Sequence, residues 1–312
     1  MATLALGYGL SYLIFALTIR TSGLEGINSR QIISGFAFGF APVAILSVLW
    51  LRGRVNKRSV LPSMAWGEAL SGVATASIAV STVYALATQS VSVVLALVLM
   101  RGGVLLISPL IDWSHRRSVE PVSWSAFALS LLAVSVGIFA NNSNGLELHL
   151  IGILSVYLLG YAIRLTLMIR FAKRNQEGRR ATWFSSELSF TTVFLLVAGA
   201  VFWLQSPATA PPLFTIIIGA LYAVVLVFGS LIYLDPRETT FAVPINRAAS
   251  LCAGIVGAFF LAGIGEASLP PWTDVLAAAL VSCALVLLLR QDAAARAMSP
   301  NASARVASTP KT

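Results

Sequence analysis

Ten apolar runs of about twenty residues divide this 312-residue chain almost from end to end. A helix rises 1.5 Å per residue, so each run can cross roughly 30 Å of hydrocarbon. Inside a bilayer only helices and closed barrels satisfy their own backbone groups, and runs of this length fit helices. The runs fall at 2–19, 31–51, 64–86, 91–111, 123–140, 148–170, 182–204, 212–234, 239–264 and 272–290. Charged residues make up 11% of the chain, against about 25% in a soluble domain. The expected fold class is therefore an all-α polytopic membrane protein of ten transmembrane helices. No basic segment precedes the first run, MATLALGYGLSYLIFALTIR, which reads as a first span rather than a signal peptide.

The connections alternate in charge. RGRVNKRSV, SHRRS, RFAKRNQEGRR, DPRE and the tail from Arg290 hold 16 of the 21 lysines and arginines, and the opposite connections hold Arg20 and Arg30. The positive-inside rule makes the basic side cytoplasmic and, with ten spans, puts both termini there. The net charge of +9 is thus assigned to cytoplasmic loops and anionic lipid rather than to nucleic acid. All seven tryptophans lie near predicted span ends, where an amphipathic ring prefers the headgroup level. Cys252 and Cys283 sit inside apolar runs and read as small packing residues rather than a disulfide.

The second five runs start 146 to 151 residues after the first five. That constant lag predicts two five-helix repeats, residues 1–145 and 146–290, followed by a disordered basic cytoplasmic tail at 291–312. Five is odd, so the second repeat would enter the membrane from the opposite side. Inverted repeats of this kind mark secondary transporters, with the substrate near mid-membrane at the repeat interface.

Three arginines lie inside spans: Arg101, Arg164 and Arg247. Each costs roughly 2.5–3.5 kcal/mol on insertion scales unless it faces a cavity or a partner. Arg101 and Arg247 stand 146 residues apart, at equivalent depths of the fourth and ninth runs. Small residues follow both (Gly102 and Gly103; Ala248, Ala249 and Ser250), which suits close helix approach or room for a ligand. Pro244 and Pro109 each free a backbone carbonyl nearby. Tyr157, Tyr161, Arg164 and Met168 form one helical stripe, either a ligand face or an aromatic interface with an inward-reaching arginine. The in-span carboxylates are Glu68 and Glu187, candidate counter-ions or coupling groups. Three arginines facing two acids leave positive charge for an anion, which a guanidinium grips with two parallel hydrogen bonds. Ser71, Thr75, Thr82 and Gln89 form a polar stripe on or just beyond the third helix. His115 and His149 have no evident chemical partner. Sequence motifs for phosphate-binding loops, common zinc sites and elbow serines are absent, so no metal, cofactor or enzymatic chemistry is expected.

FAVPINRAASLCAGIVGAFFLAGIGE in the ninth helix and LISPLID in the fourth complete the pattern. Together with five-plus-five topology, the chain resembles the drug/metabolite transporter superfamily over residues 1 to 290. The resemblance implies that both helices line a substrate cavity. PINR is similar to the basic element that the sugar-phosphate and nucleotide-sugar branch carries there, with Asn246 where that branch has a lysine. The expected function is a secondary transporter that moves a small phosphorylated or carboxylated metabolite by alternating access, in a bacterial inner membrane. Its substrate-binding residues would be Arg101, Arg247, Arg164, Tyr157, Tyr161 and Asn246. Partners would be the anionic substrate and the lipid bilayer, with a homodimer left open. Alternatives are a translocator of phosphate-bearing lipid, an exporter of other small metabolites and, less favoured, an integral membrane transferase.

Overall fold

A computed structural model describes residues 2–21, 27, 29–54, 66–87, 92–114, 121–141, 148–168, 170, 177–205, 212–234, 239–265 and 268–298. Ten helices result: α1 (Ala2–Thr21), α2 (Ser29–Arg54), α3 (Trp66–Ala87), α4 (Val93–Ser114), α5 (Pro121–Asn141), α6 (Leu148–Leu167), α7 (Glu177–Leu204), α8 (Leu213–Leu234), α9 (Thr239–Gly263) and α10 (Trp272–Met298). All ten are long and apolar enough to cross a membrane. The polarity is that of a membrane protein. Large apolar side chains such as Leu6, Leu10 and Ile14 on α1, and Val193, Val197 and Val201 on α7, point outward, while serines, threonines and arginines are buried.

Some expectations need amendment. Helix α10 continues to Met298, past residue 290 and into the segment expected to be disordered. QDAAARAM is rich in strong helix formers, so the span propagates beyond the bilayer-length run. Helix α7 begins at Glu177, ahead of its apolar span from Thr182, so Trp183 lies near the span end as expected. Six tryptophans are exposed near helix ends, but Trp183 is buried. Cys252 and Cys283 both face outward, so they are not packing residues of the interior. Among the expected features, Gln89, His115 and the side chains of Asp112 and Pro244 lie outside the described residues.

Helix α2 packs on α7 and α8, α1 on α8 and α9, and α3 on α6 and α7. Helix α4 packs on α5, α6, α9 and α10, while α10 also meets α5 and α9. Advancing every label by five turns most of these pairs into one another. The pair α2·α8 becomes α7·α3, α1·α8 becomes α6·α3, α1·α9 becomes α6·α4, and α4·α5 becomes α9·α10. Three pairs, α2·α7, α4·α9 and α5·α10, map onto themselves. The packings α4·α10, α1·α3 and α7·α8 have no counterpart of comparable extent.

Glycines set the closest of these approaches. A Cβ at Gly39 of α2 would overlap the backbone of Ile216, and one at Gly219 of α8 would overlap the backbone of Phe36. On α3, a Cβ at Gly72 would stand 2.6 Å from Cβ of Phe190 and 2.9 Å from the amide nitrogen of Thr191. The Thr191 hydroxyl donates to the Gly72 carbonyl at 3.1 Å. Lipid supplies no hydrophobic drive between helices, so close backbone contact of this sort is a principal source of cohesion.

Candidate functional site

Arg101 lies eight residues into α4 and Arg247 eight residues into α9, about 12 Å along each helix. Because α4 and α9 pack together, both arginines reach the middle of the bundle. Arg101, Arg164 and Arg247 are 3%, 5% and 1% exposed, so none reaches to the surface. Each is held by side chains from neighbouring helices.

Helix α6 supplies two of those holds. Tyr157 and Tyr161, one turn apart, have ring centroids separated by 4.8 Å. Arg101 donates from Nη1 to the Tyr157 hydroxyl at 3.0 Å, and Arg247 donates from Nη1 to the Tyr161 hydroxyl at 3.0 Å. Each guanidinium also lies over an aromatic ring: Arg101 over Tyr12 of α1 at 5.1 Å, Arg247 over Tyr161 at 4.3 Å. A desolvated cation over an aromatic face gains roughly 2 kcal/mol, which offsets part of the burial but leaves the charge in place.

Arg164 is treated differently. Its Nε donates to Oε1 of Glu187 at 2.7 Å and its Nη2 to Oε2 at 3.4 Å. Ser71 and Thr75 of α3 donate to the same Oε1 at 2.9 and 2.6 Å. The polar stripe of α3 therefore divides. Its first two hydroxyls hold the carboxylate, whereas Thr82 bonds its own backbone at the Ile78 carbonyl and faces a cavity. Glu68 is buried on α3 but does not line that cavity.

The cavity measures about 30 Å³, room for about two waters. Its walls come from six helices: Tyr8 and Tyr12 of α1, Thr82 of α3, Arg101 of α4, Tyr161 and Arg164 of α6, Tyr222, Gly229 and Ser230 of α8, and Asn246 of α9. Nε of Arg101, the Tyr12 hydroxyl and the Ser230 hydroxyl are buried there without a hydrogen-bond partner among the described residues. Buried polar groups are normally satisfied, so three orphaned groups at one cavity call for a polar ligand or water.

All six expected binding residues are brought together: Arg101, Arg164, Tyr161 and Asn246 in the wall, Tyr157 and Arg247 directly behind it. Glu187 joins them only as the partner of Arg164. Sequence reasoning missed Tyr8, Tyr12, Tyr222 and Ser230. A signal for two of them existed: Tyr8 and Tyr12 stand at the same four-residue spacing as Tyr157 and Tyr161. The glycines beside Arg101 serve packing rather than space, since a Cβ would lie 2.9 Å from Val134 at Gly102 and 2.7 Å from Leu158 at Gly103. A further buried carboxylate, besides Glu68 and Glu187, also lies outside the cavity wall. Asp274, at the start of α10, accepts from Ser92 at 2.6 Å, and Ser92 in turn accepts the Leu95 amide at the start of α4. This arrangement caps α4 and sets negative charge at its positive end. Among the described residues no cluster of histidine, cysteine or acidic side chains could hold a metal.

No protein-family model matches the sequence, and no curated protein matches it. Four chains among the solved structures do. One of them, a protein solved by crystallography, aligns over 92% of this chain and 98% of its own, with a TM-score of 0.54 and 14% sequence identity. Near-complete coverage of both chains at so low an identity is a likeness of fold alone.

Proposed function

We propose that this chain is a secondary transporter of the drug/metabolite transporter type that moves a small phosphorylated or carboxylated metabolite by alternating access. One observation carries the reading. Arg101 is buried at mid-depth with no carboxylate partner among the described residues, in the wall of a cavity where its Nε lacks a hydrogen bond. A buried cation that meets only tyrosines retains its charge, and an anion entering the cavity would neutralise it with paired hydrogen bonds. Arg247 approaches from the helix five places later, so the two cations would hold the anion from opposite repeats. Helix packing that largely maps onto itself when labels advance by five supports the inverted repeat on which this scheme relies.

Small-molecule sites generally enclose ~300–1,000 Å³, far above the volume present. Admitting a metabolite would require the helices around the cavity to part. No covalent step is involved. The proposed setting is a bacterial inner membrane with both termini in the cytoplasm, as the basic connections require.

A thermal-shift screen in detergent tests the reading, comparing the wild type with Arg101→Gln/Arg247→Gln. Ligands would include phosphorylated metabolites, carboxylates, cationic drugs and lipid-linked phosphates. A ligand at a hundred times its Kd adds about 2.7 kcal/mol of stability. Stabilisation by soluble anions of the wild type, and not of a well-folded double variant, is the expected result. Response only to lipid-linked phosphate would make the protein a lipid translocator, and equal response of both proteins would make the arginines structural.

A further inference from the structure

The arginines and tyrosines of the site pair off in a regular way. Arg101 and Arg247 differ by 146 residues, and Tyr8 and Tyr12 precede Tyr157 and Tyr161 by 149 each. Both lags fall within the spacing that relates the two halves. The contacts follow the same rule. Arg101 over the ring of Tyr12 is the counterpart of Arg247 over the ring of Tyr161, and the packing of α4 on α6 is the counterpart of α9 on α1. The two tyrosine pairs are themselves alike, with centroids 6.0 Å apart in α1 and 4.8 Å apart in α6.

The hydroxyl contacts break this symmetry. Both arginines donate to α6, at Tyr157 and Tyr161. The Tyr12 hydroxyl has no hydrogen-bond partner among the described residues, and Tyr8 lines the cavity beside it. If the halves exchange roles, the ring contacts survive unchanged while the hydroxyl contacts move. The image of Arg247 on Tyr161 is Arg101 on the Tyr12 hydroxyl, and the image of Arg101 on Tyr157 is Arg247 on the Tyr8 hydroxyl.

Resting on the transporter reading above, we infer that Tyr8 and Tyr12 form a second half-site, equivalent to Tyr157 and Tyr161, which takes over both arginines when the protein faces the other way. In the conformer described here α6 holds the two guanidiniums; in the opposite conformer α1 holds them. Geometry favours this exchange because α1 already packs on α9, and Tyr12 already lies beneath Arg101. The arginines need only turn between hydroxyls, each staying over its own ring.

Phenylalanine variants separate the two states without any substrate. Spin-label pairs across the helix ends on each face, in a Cys252→Ala/Cys283→Ala background, report the ratio of conformers by their distance distributions in lipid nanodiscs. A hydrogen bond to a charged group is worth a tenfold or greater change in such a ratio. Tyr157→Phe should lower the share of the conformer described here, and Tyr8→Phe should raise it, each by tenfold or more. Whichever conformer dominates the wild type, one of the two variants moves the distribution visibly and in a fixed direction. Tyr161→Phe and Tyr12→Phe repeat the test at the other two hydroxyls, with the same signs in turn. Shifts of the same sign in both members of a pair, or no shift in either, overturn the inference. The readout uses no ligand, so it fails independently of the anion screen.

Discussion

Arg164 and Arg101 are the same residue type at similar burial, yet their surroundings differ in kind. Arg164 meets a carboxylate fixed by Ser71 and Thr75, whereas Arg101 meets two tyrosines. Breaking a buried ion pair from one side leaves the other charge uncompensated, at a cost of about 3–5 kcal/mol. Glu187→Gln should therefore lower the melting temperature of detergent-purified protein steeply, and Arg164→Met/Glu187→Leu should recover most of the loss. If Glu187→Gln melts like the wild type, the carboxylate is not holding Arg164 in a structural role. At this scale the sequence disclosed which residues would be buried, because charge inside an apolar run is visible by inspection. It could not disclose which arginine would take the glutamate, because that depends on how α3, α6 and α7 meet in space. Tyr8 and Tyr12 went unread for a related reason: the charge of helix α1, Arg20, lies in its last turn and draws no attention to them.

Helix boundaries follow from the length of apolar runs, and the ends depart from expectation where helix-forming residues extend a run, as QDAAARAM does for α10. Which helices touch is decided by smaller features. Gly39 and Gly219 face each other's helix across the α2–α8 crossing, so each backbone rests where the other's side chain would be. Gly39→Leu should force the pair apart, with a loss of at least the 1–3 kcal/mol typical of overpacking and a clear fall in melting temperature. Gly152 offers a control, since a Cβ there meets nothing, and Gly152→Ala should leave the melting temperature unchanged. Equal effects at both positions would mean that the α2–α8 approach does not govern cohesion. The many glycines of these helices carry no sequence mark that separates the close contact at Gly39 from the open face at Gly152.

For the whole molecule, the alternation of basic and neutral connections predicts one orientation in the membrane. A reporter fused after Thr312 that is active only in the cytoplasm should give signal, and so should one inserted after Arg54; an insertion after Thr21 should be silent. A signal from the Thr21 insertion would invert the topology and with it the side from which each arginine approaches. Spacing alone made ten spans and a five-helix lag legible. The packing that brings α4 against α9 at the centre was not legible, because evenly spaced apolar helices can assemble in many orders.

The guanidiniums have one more consequence, and it concerns what must not pass. A hydrated path through the centre of any such bundle would short-circuit the gradients on which a cell depends. Two fixed positive charges at mid-membrane oppose that leak for protons and metal cations alike. At an effective dielectric constant of 20, a cation held 4 Å from one of them is repelled by about 4 kcal/mol. Arginines and oriented dipoles guard other water-lined pores against protons in the same manner. In a transporter of the proposed kind, the charge that attracts the cargo would also insulate the membrane while the site is empty.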